Sequence, residues 1–200
     1  MKAFVIAMEC EADCVRPHLK PGDRLYVSGI GKVNAAAATQ RAICEGADEI
    51  WNIGLAGGFG DVEVGGIYRV DRAVEYDFDL AKINGTPVGT LNEYDTPYIE
   101  LVAPDGVDER LAFPVRTLAT GDRFNDSAAD NELIVRALGA ALRDMEGAAV
   151  AHVCKRCGVR CVALKCVSDV EGCGAMTGQY LENKARCLVG LTAALKDVLR

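Results

Sequence analysis

The sequence lacks the features that mark membrane, secreted or nucleic-acid-binding proteins. None of its apolar runs approaches the roughly 18 residues of a membrane span, and the hydrophobic stretch at its start is too short for a signal peptide. No block of lysine or arginine forms a basic stripe, and the net charge of −7 repels polyanions. We therefore expect a cytoplasmic protein that takes a small neutral or cationic ligand and binds neither a membrane nor nucleic acid.

Histidine is also scarce, and the metal-binding patterns are incomplete. The two histidines, His18 and His152, are solitary, so we expect neither to be a catalyst. Cys154 and Cys157 have the spacing of a zinc or redox pair, but the second pair that a zinc site needs is missing. The nine cysteines, mostly in apolar segments, favour reduced thiols packed in the core over disulfides. We predict no metal and no cofactor.

Strand-like and helix-like segments alternate along the chain. Half of the residues are apolar, and a chain of this length can bury one core. The alternation predicts an α/β fold in a single domain over residues 1–200, with a mostly parallel sheet flanked by helices and ligand sites at the carboxyl ends of the strands. The middle third, 65–118, has short β-like runs separated by turn residues, which predict hairpins and irregular loops. The predicted strands are 2–8, 24–28, 49–54, 67–74, 97–102, 115–119 and 160–167, and the predicted helices are 9–18, 32–45, 130–138, 145–156 and 175–199.

Acidic residues collect at the ends of the predicted strands. Glu9 and Glu11 follow the first strand two residues apart, so one can face solvent while the other faces a pocket. Glu146 begins a helix of small residues, and Asp169 follows Ser168 at the end of a buried-looking strand. Each acid also has an ordinary structural reading, as a helix-start charge or a helix cap. Their recurrence at successive strand ends favours a shared site.

Two glycine-rich segments, 28–31 and 54–60, also follow predicted strands. Glycine there permits tight turns and a close approach of ligand to backbone N–H groups. Neither segment matches a dinucleotide-binding or triphosphate-binding motif, so those ligands are not supported.

Six segments of the chain, taken in order, carry a family resemblance. They are Ala7-Met-Glu-Cys-Glu, Ser28-Gly-Ile-Gly-Lys-Val-Asn-Ala-Ala, Asn52-Ile-Gly-Leu-Ala-Gly-Gly, Thr120-Gly-Asp-Arg-Phe, Asp144-Met-Glu-Gly-Ala-Ala and Val167-Ser-Asp. Together they resemble the 5′-methylthioadenosine/S-adenosylhomocysteine nucleosidases of the nucleoside phosphorylase and nucleosidase superfamily. The resemblance implies a twisted mixed sheet flanked by helices, a homodimer in which a partner loop closes each site, and metal-free hydrolysis of the N-glycosidic bond of an adenine nucleoside.

The resemblance also implies roles for the acids. Glu11 would be the general base that activates water, and Asp169 the acid that protonates the departing purine. Glu146 would bind the ribose hydroxyls, with Met145 packed against the sugar. These roles suit the chemistry, because cleavage through an oxocarbenium-like sugar needs a base, an acid and anionic surroundings. Asp144, by contrast, is expected to be structural.

The resemblance also implies contacts with the adenine base and a residue that orients Asp169. Phe124 would stack on adenine, the backbone near Asn125 would read the adenine edge, and Ser168 would orient Asp169. Gly57 and Lys165 complete the implied substrate-binding set. Many family members have arginine at the position of Lys165. Lysine keeps the positive charge but lacks the planar guanidinium group that can bind two partners side by side.

Two alternatives to adenine nucleoside hydrolysis stay open. Phosphorylases of this superfamily carry a Gly-Asp-Pro-x-Arg-like segment after the first strand, whereas glutamates stand there in this chain and would repel phosphate. Hydrolysis is therefore favoured, although Leu55 occupies a position where a small polar residue is common. Together with Lys165 and Asn125, this departure leaves open a nucleoside hydrolase or phosphorylase of other base specificity. Leu55 and Lys165 together also leave open a nucleoside-binding homologue that has lost turnover.

Overall fold

A computed structural model describes residues 1–101, 111–124 and 127–200 of the chain. Strands and helices alternate along it as the sequence predicts. The strands are β1 Lys2–Ile6, β2 Arg24–Val27, β3 Glu49–Gly58, β4 Ile67–Glu75, β5 Ile99–Glu100, β6 Val115–Thr120, β7 Leu142–Asp144 and β8 Arg160–Val170. The α-helices are α1 Glu9–Val15, α2 Lys32–Cys44, α3 Ala81–Asn84, α4 Ala128–Glu132, α5 Gly147–Cys157 and α6 Met176–Val198; a 3₁₀ turn Arg16–His18 follows α1 and a π-helical turn Leu133–Ala137 follows α4.

All eight strands belong to one mixed sheet. The strand order is β2-β1-β3-β7-β6-β4-β5, and β8 pairs with both β3 and β4. The pairings of β1 with β2 and β3, and of β3 with β8, are parallel, whereas β7 runs antiparallel to β3 and β4 runs antiparallel to β8. Because β8 bridges β3 and β4, the strands β3, β7, β6, β4 and β8 close into a ring. The mixed sheet predicted from the family resemblance is therefore confirmed, with a closed half that the sequence did not indicate.

The hydrophobic core around β1 has two layers, one on each side of the strand, and a third cluster packs around Phe59, Tyr76 and Ile134. Ala3 and Val5 of β1 pack with the alanine-rich helices α2 and α5, while Phe4 and Ile6 pack with α1 and α6. This division follows from the two-residue period of a strand, which sends alternate side chains to opposite faces. Five of the nine cysteines are buried, namely Cys14, Cys154, Cys161, Cys166 and Cys187. Over the described residues, no helix has the length and apolarity needed to cross a bilayer.

The structure differs from the sequence prediction at β3, at β7 and in the pairing of β4 with β6. β3 extends to Gly58, so the glycine-rich segment after Asn52 is largely strand and not a turn. β7 was not predicted, because three residues are too few for a two-residue period to show. In the middle third, the antiparallel pairing of β4 with β5 agrees with the hairpin prediction, whereas β6 pairs with β4 in parallel and forms no hairpin with it.

Candidate active site

A cavity of about 350 Å³ lies near the carboxyl ends of β1, β3, β7 and β8. Glu11, Glu146 and Asp169 all line it, although they are far apart in sequence. Each of these acids is buried, with at most 8% of its surface exposed. Asp144 and Arg143, which are also buried, line the same cavity. So many charged groups at one small cavity are costly to bury unless partners or a ligand satisfy them, so their convergence marks a functional site. The cavity lining also includes Met8, Ile30, Leu55, Gly57, Phe124, Met145, Ser168, Tyr180 and Leu181.

Glu11 is held in the cavity wall by backbone donors. Its Oε1 accepts a hydrogen bond from Leu55 N at 2.8 Å, and its Oε2 accepts one from Met8 N at 3.1 Å. Burial raises the pKa of Glu11, while the backbone hydrogen bond from Leu55 and the charge of Lys165 oppose that rise. Glu9, on the same helix, is solvent-exposed, with 71% of its side chain accessible. The prediction that one of these two acids faces solvent and the other a pocket is thus confirmed.

Glu146 lies immediately before α5, at the position from which the helix starts. Its Oε1 accepts a hydrogen bond from Gly31 N at 2.9 Å, which links it to the glycine turn before α2. Burial and the neighbouring charge of Asp144 raise the pKa of Glu146 to about 7. A carboxyl group with this pKa changes charge near neutral pH, which is unusual for an acid with a merely structural role.

A β-bulge places Asp169 and Ser168 at the cavity. Along the parallel pair of β3 and β8, Ala56 is opposite Val167 but Gly57 is opposite Asp169, so Ser168 is an extra residue. Bulges of this kind redirect side chains near active sites. Both Ser168 and Asp169 consequently line the cavity, and Ser168 Oγ donates a hydrogen bond to Asp169 Oδ1 at 2.7 Å.

Two glycines of β3 make room for the carboxylates. A Cβ atom on Gly54 would lie 2.7 Å from Glu11 Oε1, and one on Gly57 would lie 2.9 Å from Asp169 Oδ2. Both distances are shorter than non-bonded contacts of a Cβ atom allow, so any larger residue would displace the acids. Gly57, predicted to bind substrate, thus also has a packing reason to be glycine, and the sequence analysis missed Gly54.

Lys165 is buried and pairs with Asp144, the acid that the sequence predicts to be structural. Its Nζ is 2.8 Å from Asp144 Oδ2, and only 2% of each side chain is exposed. A direct contact between Lys165 and substrate stays a prediction, since the described cavity lining includes Asp144 but not the lysine.

Aromatic and apolar side chains form the outer part of the cavity. Phe124 is half-exposed and packs edge-on against Tyr180, with ring centroids 5.3 Å apart. Met145 lines the cavity next to Glu146, and its contact with the sugar stays a prediction. Asn125 lies outside the described residues, so its role stays a prediction. Within the described part of the chain, no group of three or more His, Cys, Asp or Glu side chains could hold a metal ion.

Comparison with known proteins gives consistent matches. The family model of the phosphorylase superfamily matches residues 24–200. A 5′-methylthioadenosine/S-adenosylhomocysteine nucleosidase of Thermotoga maritima is 34% identical over 178 residues, covering 86% of this chain and 76% of that protein. An aminodeoxyfutalosine nucleosidase of Helicobacter pylori is 28% identical over 183 residues, covering 86% of this chain and 79% of that protein. The solved structure of a futalosine hydrolase of Helicobacter pylori superposes with a TM-score of 0.85 at 22% identity, covering 98% of this chain and 96% of that one. These matches confirm the family resemblance and the fold.

Proposed function

The chain belongs to the phosphorylase superfamily, and from this premise we propose that it hydrolyses the N-glycosidic bond of a purine nucleoside. The observation that carries the proposal is the convergence of Glu11, Glu146 and Asp169 on one cavity. The transition state of such a reaction is an oxocarbenium-like sugar, which anionic surroundings stabilise. A site lined by four buried carboxyl groups and one arginine is suited to that charge.

Glu11 is proposed as the general base. Its two backbone hydrogen bonds fix the carboxylate, and burial raises its pKa, so it can accept a proton from water more readily than an exposed glutamate can. Asp169 is proposed as the acid that delivers a proton to the departing purine, because the bulge directs it into the same cavity and Ser168 orients it. Base and acid would then act on opposite ends of the bond that breaks.

Glu146 and Met145 are proposed to bind the ribose. A carboxylate accepts hydrogen bonds from sugar hydroxyls, and one oxygen of Glu146 is already fixed by Gly31 N. Met145 supplies an apolar contact beside it. Phe124 is proposed to stack on the purine, since its ring stands at the cavity and is partly open to solvent.

Water is proposed as the nucleophile in preference to phosphate. Glu11, the proposed base, would face the nucleophile, and the charge of its buried carboxyl group would repel an anion there. The glutamates after β1 also replace the phosphate-binding segment of the phosphorylases. Phosphorolysis is the competing outcome of the experiment below.

The substituent at the ribose 5′ position is proposed to be apolar or to begin with an apolar segment. Met8, Ile30, Tyr180 and Leu181 add apolar surface to the cavity that the acids line. This lining suits 5′-methylthioadenosine, S-adenosylhomocysteine or 5′-deoxyadenosine better than a nucleoside with a 5′-phosphate.

A panel of nucleosides, incubated with and without phosphate and analysed by chromatography, tests the proposal. We expect release of adenine from at least one of these three adenosine derivatives without phosphate, and loss of that release in Asp169→Asn. Release that requires phosphate would contradict the water mechanism. Preference for another base would replace adenine as the substrate, and thermal stabilisation by nucleosides without any product would indicate a binding protein.

We also propose that two copies of the chain form a homodimer around the site. Ile30, Val33, Phe124 and Leu181 are apolar and exposed, and three of them line the cavity. Exposed apolar side chains grouped at one place favour a protein interface. A second copy that covers them would exclude water from the cavity and extend its outer wall.

A further inference from the structure

We infer that Asp144 is a positioning residue of the proposed nucleosidase site, which fixes the start of α5 and holds Lys165 so that Glu146 presents its carboxyl group to the ligand. The inference rests on the proposed function. It assigns a role to an acid that touches neither the water nor the purine in the proposed mechanism. Three sets of contacts support it.

The first set fixes the start of α5. Asp144 Oδ2 accepts a hydrogen bond from Gly147 N at 2.9 Å, and Thr120 Oγ1 accepts one from Ala148 N at 2.9 Å. Thr120 Oγ1 in turn donates to Asp144 Oδ1 at 2.6 Å. The first N–H groups of a helix have no partner within it, so this pair of side chains satisfies two of them. Glu146 lies directly before these residues, and its backbone is held by them.

The second observation is the close fit at Gly147. A Cβ atom there would lie 2.9 Å from Asp144 Oδ2 and 2.4 Å from a methyl carbon of Leu118. The absence of a side chain lets the carboxylate approach the helix start closely enough to accept its N–H. The position of Glu146 is therefore fixed by contacts on its C-terminal side and by Gly31 N at its carboxylate.

The third set concerns charge. Lys165 is fully buried on β8, and its ammonium is bound to Asp144 at 2.8 Å. A lysine ammonium is a compact point charge, and here it pairs with Asp144. Glu11 and Glu146 are held instead by backbone N–H groups. Asp144 thus keeps the buried lysine from binding either acid of the reaction.

The charged groups around Glu146 come from several elements. Glu11 faces it from α1, Asp144 from β7 and Lys165 from β8, while Asp169 and the buried Arg143 line the same cavity. Asp144 raises the pKa of Glu146 and Lys165 lowers it, with Asp144 the stronger of the two. Removing the charge of Asp144 should therefore favour the ionised form of Glu146.

Two measurements follow the titration of Glu146: the NMR signal of its carboxyl carbon and the pH dependence of kcat/KM. The protein is labelled with ¹³C at the glutamate side-chain carboxyl carbon, and the signal of Glu146 is assigned by its loss in Glu146→Gln. Asp144→Asn should move the titration of Glu146 to lower pH by roughly one pH unit, and the acid limb of kcat/KM should move with it. Asp144→Glu keeps the charge and should keep the wild-type titration.

A double variant guards against misfolding of Asp144→Asn. Asp144→Asn with Lys165→Met removes both buried charges together, which leaves no unpaired ion. It should move the titration of Glu146 in the same direction by a smaller amount. An unmoved titration in either folded variant would overturn the inference, and so would failure of both to fold, since Asp144 would then serve folding alone. Absence of base release by the wild type would refute the proposed function without affecting the titration result.

Discussion

At the scale of single residues, the structure separates two glutamates that are nearly equivalent in sequence. Glu9 and Glu11 lie on one turn of α1, yet Glu9 is exposed and Glu11 is 4% exposed at the cavity. The sequence could predict that the two acids face different ways, because residues two apart on a helix point in different directions. It could not predict the backbone donors of Glu11, since Leu55 N belongs to a distant strand.

These two residues provide a matched pair for testing the general base. Glu11→Gln should lower kcat by about 10²–10⁴-fold, because the amide cannot take a proton from water. Glu9→Gln should leave kcat at the wild-type value, since that side chain lies in solvent. Both rates are measured as adenine release under saturating substrate. Equal activity of the two variants would assign the base to another residue.

The pKa of Glu146 leads to a prediction about binding. In the free protein this pKa is raised to about 7, so near pH 7 the group is about half protonated, and the protonated fraction grows as the pH falls. Ribose hydroxyls that donate to the carboxylate favour its charged form and lower its pKa. Binding should therefore release protons just below pH 7, and affinity should fall as the pH is lowered further. Calorimetry with a carbon-linked nucleoside analogue, in buffers of different ionisation enthalpy, measures this release. Proton uptake on binding would contradict it, and Glu146→Gln should remove the effect.

At the scale of elements, β3 shows why the sequence prediction was only partly correct. Its glycines suggested a turn because glycine usually marks one, but here they allow carboxylates to approach a strand. The Ser168 bulge on β8 left no signal in the sequence either, since a bulge depends on the register of two paired strands. The predicted α1, β2 and α2 agree with the structure to within a few residues, and the end of α2 could be predicted because Gly46 follows its alanine-rich run.

Gly57 gives the prediction for this element. Gly57→Ala would place a Cβ atom 2.9 Å from Asp169 Oδ2 and 3.0 Å from Met176 Cε. The strand can persist, but the acid must move, and a displacement approaching 1 Å lowers activity by about 10²-fold. We expect kcat/KM to fall by that order while the circular dichroism spectrum is kept.

Gly190→Ala is the control for that substitution. Gly190 lies on α6, and among the described residues a Cβ atom there would meet nothing within 4 Å beyond the backbone of its own helix. Alanine is also the better helix former by about 1 kcal/mol. This variant should keep wild-type activity and melt at the same or a higher temperature. Full activity of Gly57→Ala would show that Asp169 does not need its present position.

At the scale of the whole molecule, the site depends on the topology more than on any one segment. Glu11 follows β1, Glu146 follows β7 and Asp169 lies near the end of β8. All three strands pair with β3, which brings the acids to one cavity. The pattern of apolar residues predicted the strands and helices and their order. The family motifs implied that the acids share one cavity. The closed ring of strands could not be derived from either, because it requires β8 to pair with two strands distant in sequence.

The proposed homodimer is tested at this scale. Leu181 is 71% exposed at the mouth of the cavity, and Ile83 on α3 is similarly exposed without lining it. If a second copy covers the mouth, Leu181→Asp buries a charge at the interface and should favour the monomer, because an unpaired buried charge is costly. Ile83→Asp should leave the dimer intact. Light scattering after gel filtration distinguishes a monomer of 21.3 kDa from a particle of twice that mass. A monomeric wild-type protein, or the same mass for both variants, would contradict a homodimer at the mouth. The apolar side chains there would then serve substrate alone.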